Sequence, residues 1–264
     1  MEDKSTLMEP ATNPPVPPTS LAGRLFNVLA APGEVFDEIK SAPVTTANWL
    51  LPLLLALITG IAAVLVIYSQ PAVLQQMHEQ QTKVLEAKVK AGTMTQAQAD
   101  QAEAMMDKFG GPGMTKFIGC IFVAIFVVLR LFWLALILWA FGKWLLQANF
   151  AYGKALEVVG LAYVVTILGS VACALLSIAL GKLVTASAAL FAGDMDPQSV
   201  MHTFLQSLDL FDFWMFGILT VGLARLASVA WTKALSLIIC YWLVMEGITI
   251  GISWFFTALG NGFK

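Results

Sequence analysis

Charge is scarce in this sequence. Only 12% of its 264 residues are charged, about half the share of a soluble domain. The net charge of −2 provides no basic field, so nucleic acid is not expected as a partner. Histidine is scarcer still, with only His78 and His202. The three cysteines, Cys120, Cys173 and Cys240, lie inside apolar runs and show no C-x-x-C spacing. They read as small buried hydrophobes, which excludes a disulfide framework or zinc site. No G-x-S-x-G, H-E-x-x-H or P-loop pattern occurs. Asp194, Asp196 and His202 match no metal-ligand spacing. The sequence thus points to no enzyme, no metal and no cofactor.

What fills the chain instead is apolar: 58% of residues are hydrophobic, and the mean hydropathy is +0.78. That places it among integral membrane proteins, with the lipid bilayer as its solvent. Residues 117–146 are almost wholly apolar except for Arg130 and Lys143. At 1.5 Å per residue, about 20 residues cross a bilayer core, so this run crosses with tilt. Four further spans are expected near 49–68, 158–180, 213–231 and 234–256. Trp49 and Tyr68 mark the two interface levels of the first, and Pro52 falls in its first turn. In the third, Ala162, Thr166, Ser170 and Ala174 repeat every four residues, a spacing that lets helices approach closely.

Between the spans the pattern changes. Five prolines within residues 1–19 block regular structure and predict a disordered tail. Leu21–Lys40 predicts two short amphipathic helices, the second opened by Pro32. They either lie on the bilayer or pack on the protein's own helix ends. Residues 70–115 predict a helical hairpin outside the membrane, with Gly92 at its turn and a Thr95–Gln98 capping box. Asp196 and Pro197 predict the start of a further surface helix, and 259–264 a short tail. The fold class is therefore all-α: a five-span bundle with N-terminal interfacial helices and an extramembrane hairpin.

Orientation follows from the basic residues outside the spans. Lys4, Arg24, Lys40, Lys143, Lys154, Arg225 and Lys233 fall on the N-terminal side. Lys83, Lys88, Lys90, Lys108, Lys116, Lys182 and Lys264 fall on the other. Charges in the hairpin count for less, and both short inter-span turns on the N-terminal side are basic. The expectation is a membrane protein with a cytoplasmic N-terminus and a C-terminus on the far side of the membrane. It lacks an apolar leader, so insertion is expected to use the spans themselves.

Several residues carry a resemblance. Asp209, Phe211 and Trp214 form an Asp-x-Phe-x-x-Trp entry to the fourth span, with Gly222 further along and Lys233–Ala234 leading into the fifth. Gly160 and Tyr163 form a Gly-x-x-Tyr in the third, followed by Val164. With the Leu25–Phe36 lead and its Pro32, these resemble the Yip1-domain proteins of the bacterial branch over roughly residues 20–258. The Asp-Leu-Tyr-Gly-Pro motif of eukaryotic members is absent. The resemblance implies this fold, this topology and association with membrane partners or with itself, and it implies no reaction.

Two intramembrane charges remain. Arg130 and Glu246 both fall near mid-span by helix rise, and charge at that depth costs about 2.5–3.5 kcal/mol. They are expected to pair, either as a clamp between helices or as part of a proton or solute pathway. Asp209 and Asp212 are expected to complement the helix dipole at the start of span four. Gly247-x-x-x-Gly251 reads as a close-packing motif of span five. Two function classes follow: a non-enzymatic scaffold that binds membrane proteins or organises the bilayer, and a small permease or channel using Arg130 and Glu246.

Overall fold

The computed structural model of the protein describes residues 19–191 and 199–262. The expected tail before residue 19, and Asp194, Asp196 and Pro197, lie outside the described residues. Among these residues the regular structure is helical. Two short helices, α1 (Leu21–Ala30) and α2 (Pro32–Ser41), lead into the first span, α3 (Ala47–Ile67). The hairpin follows as α4 (Pro71–Lys90) and α5 (Gln96–Phe109). The remaining spans are α6 (Pro112–Ala140, extended by a π-helical turn to Leu145), α7 (Tyr152–Leu180), α9 (Leu210–Ala227) and α10 (Trp231–Gly262). A short helix, α8 (Val200–Ser207), precedes α9.

Local chemistry explains most of the boundaries. The Ser20 hydroxyl caps α1 by accepting from the Gly23 N–H, and Pro32 occupies the first turn of α2. Thr95 and Gln98 form the reciprocal capping box at the start of α5. Gly92, at φ +71°, makes the left-handed turn between the hairpin helices. Ser199, not Asp196, caps α8, its hydroxyl accepting from the His202 N–H.

α7 is the centre of the bundle. It packs against α3, α6 and α9 and meets α1 and α2 at one end. Half of its most apolar stretch is buried, against 6% for α10. The tightest crossing is with α3, where a Cβ on Gly160 would lie 2.3 Å from the Trp49 Cα and 2.9 Å from the Asn48 carbonyl oxygen. Because α3 begins at Ala47, Pro52 falls in its second turn and not its first. Its missing N–H leaves that same Asn48 carbonyl without an i→i−4 donor.

α1 and α2 pack on the protein's own helices. Val28, Val35, Phe36 and Ile39 are buried, and the Phe36 ring sits over Gly222 of α9. Phe26 of α1 stays exposed. Beneath this platform lies a polar cluster. Glu157, 1% exposed, accepts from the Thr45 N–H (2.8 Å), from Asn48 Nδ2 (2.7 Å) and from Lys154 Nζ (2.9 Å). Lys154 donates in addition to the Ile39 and Ala42 carbonyls, at 2.6 and 2.7 Å. Asn48 then accepts from Arg24, which pairs with Glu38 at 2.7 Å. One network thus ties α1, α2, α3 and α7 together.

Candidate functional site

At the opposite end the bundle opens. α6 with its π turn has 34 residues, about 51 Å by helix rise, whereas α9 has 18, about 27 Å. α9 therefore begins well below the outer end of α6. The Asp209 side chain caps it, accepting from the Phe211 and Asp212 N–H groups at 2.8 and 3.2 Å. Residues 184–191 fold beside this start: Ala188 N–H donates to the Leu208 carbonyl, and Leu210 N–H to the Ala186 carbonyl.

This arrangement brings Asp212 level with Arg130. The two pair at 2.5 Å across α6 and α9. The expected partner of Arg130 was Glu246, and here the structure corrects the sequence reading. The cause is depth: Asp212 stands in the first turn of a short helix that starts half-way down its neighbour. Glu246 sits half-buried on α10 and makes no ion pair among the described residues.

Around the pair lies a cavity of about 500 Å³. Among its lining residues are the polar side chains of Arg130, Asp212, Asp209, Thr166 and Ser170, with Cys173 of α7, Thr185 and Gln206 of α8. Two carboxylates face one guanidinium. Burial pushes the Asp209 carboxyl above its ordinary value, and the Asp212 N–H bond opposes that rise. The Phe211 ring closes one wall against Gly169, where a Cβ would lie 3.0 Å from the ring.

The remaining sequence candidates fall in three places. Tyr163 is buried in the core, its hydroxyl donating to the Val127 carbonyl at 3.0 Å. Gly160 and Gly222 lie at close crossings, the latter 2.3 Å from a Val158 methyl if given a Cβ. Trp214 and Lys233 are exposed, and Gly247 and Gly251 face open space, where an added methyl would find nothing within 4 Å. The close packing expected of these two glycines is therefore not made among the described residues.

A family model described as Yip1 domain matches residues 26–262. The chain belongs to the Yip1 domain family. No curated protein and no solved structure matches it. In this Yip1-domain chain the Asp209-x-Phe211 stretch caps α9 and walls the cavity. Sequence reasoning missed the Lys154–Glu157 cluster and the role of Asp212. The signals were a carboxylate abutting a wholly apolar span and a second aspartate three residues after the cap.

Proposed function

We propose that this protein is a non-enzymatic scaffold of the bacterial branch of its family. It sits in the inner membrane with its N-terminus in the cytoplasm and holds a partner membrane protein through its fifth span. The observation that carries the reading is the exposure of α10, whose most apolar stretch is only 6% buried. Glu246 lies near its centre with no ion-pair partner among the described residues, beside Gly247 and Gly251, which leave room for a second backbone. A partner helix that offers a donor at that depth relieves the cost of the carboxylate. A photo-crosslinking residue at Ile248, exposed on α10, tests this in membranes. The expected result is an adduct with another membrane protein, lost on Glu246→Leu. An adduct of doubled mass would make the partner a second copy, and adducts with lipid alone would defeat the reading.

The cavity at Arg130 supports a second reading, a small permease or channel. Its two carboxylates against one guanidinium favour a cationic solute or a proton. Flux into liposomes that fails in Arg130→Met and Asp212→Asn would favour it over the scaffold.

A further inference from the structure

A second cavity lies at the end of the bundle that carries α1 and α2. It measures about 470 Å³ and sits between α2, the end of α9 and the start of α10. Its polar lining is Asp37, Lys40, Arg225 and Ser228, with Trp231 at its rim. Two cations face one carboxylate, for a net charge of +1. Lys40 Nζ donates one of its three protons to the Ser228 Oγ at 2.5 Å. Arg225 NH1 meets Asp37 at 3.0 Å, leaving most of its five N–H donors uncommitted.

The backbone around them closes the C-terminal end of α9. Ser228 holds a left-handed conformation, φ 55°, that a residue with a side chain seldom adopts. In it the Ser228 N–H meets the Arg225 carbonyl and the Val229 N–H meets the Ala224 carbonyl. Two carbonyls that would repel an anion at the end of α9 are thereby occupied. Trp231 is half-exposed, as expected of a ring at the headgroup level, and further along α10 the side chains of Ile239 and Leu243 are exposed and apolar.

We propose that this cavity binds the phosphate of an anionic phospholipid, with the headgroup held by Lys40 and Arg225 and the acyl chains lying along α10. A basic pocket between helices at the interface level recognises such headgroups. A soluble phosphate meets the same two cations but gains nothing from the apolar side chains of α10.

Native mass spectrometry of the full chain, with tail-matched phosphatidylglycerol and phosphatidylcholine, reads the preference directly. Phosphatidylglycerol should be retained over phosphatidylcholine by roughly fivefold for each basic residue that contributes. Lys40→Gln and Arg225→Gln should each lower that preference. Asp37→Asn removes the one carboxylate and should raise it, an outcome that a merely structural Asp37–Arg225 tie would not produce. Equal retention of the two lipids by the wild type, or no gain in Asp37→Asn, would overturn the proposal. A separate arm with inorganic phosphate in lipid-free detergent settles the source. A thermal shift there that is lost in Lys40→Gln would assign the site to soluble phosphate and overturn the lipid assignment.

Discussion

The Lys154–Glu157 and Arg130–Asp212 ion pairs of this bundle are built from the same chemistry and finish differently. At the α1–α2 end, Lys154 and Glu157 are each surrounded by partners, and the cluster is sealed beneath α2. At the other end, Arg130 and Asp212 have one another and a cavity, with side chains 23% and 41% exposed. A charge whose donors and acceptors are all taken by its own chain fixes helices in place. One that keeps free valences toward a cavity is available to a ligand. Reading a membrane charge as functional thus requires its partner count as well as its depth.

The largest effect that would sharpen this comparison is at the sealed end. Glu157→Leu strands the Lys154 charge together with the Thr45 N–H and Asn48 amide, and should cost about 3–5 kcal/mol. A melting temperature in detergent close to wild type would show that the cluster does not hold the bundle. At the open end, Arg130→Met or Asp212→Asn should each cost about 1.5–3 kcal/mol, with the double mutant recovering part of the loss. Cavity water tempers the penalty, so a loss equal to that of Glu157→Leu would break the distinction between the two sites. The smallest effect is at the rim of the sealed end. Hydrogen bonding from Arg24 holds the Glu38 carboxyl below its ordinary 4.5. A depressed folded value means that this contribution is present in full above that pH and is lost as the pH falls through the folded value. The stability gap between wild type and Glu38→Gln should be under about 1 kcal/mol and should close in acid below 4.5, as followed by thermal melts across pH.

Much of the architecture was legible because its signals are local. A long apolar run declares a span, and Thr95 with Gln98 declares a helix start wherever they stand. The span limits shifted where no side chain marks the helix start: α7 begins at Tyr152, six positions before the expected start at 158, and its N-cap, Ala151, makes no side-chain hydrogen bond. That shift hid the sealed cluster: Lys154 counted only as a basic residue outside the spans, and Glu157 drew no attention, whereas α2 and residues 42–48 close over both. The Arg130 pairing was hidden for another reason. Helix rise gives depth along one helix, but the depth of Asp212 depends on where α9 begins relative to α6, which spacing in the sequence does not give. Likewise, the spacing of Gly247 and Gly251 announces room for a neighbour without saying whether the chain supplies it.

The crossing of α3 and α7 has a consequence of its own. Pro52 frees the Asn48 carbonyl, and Gly160 lets the α7 backbone reach it, so main-chain atoms of both helices meet where side chains would ordinarily interpose. An oxygen without its N–H donor can accept a weak Cα–H···O contact from such a neighbour. Main-chain atoms in formed helices have no rotamers left to freeze, so this seam closes without the entropic penalty that interlocking side chains carry.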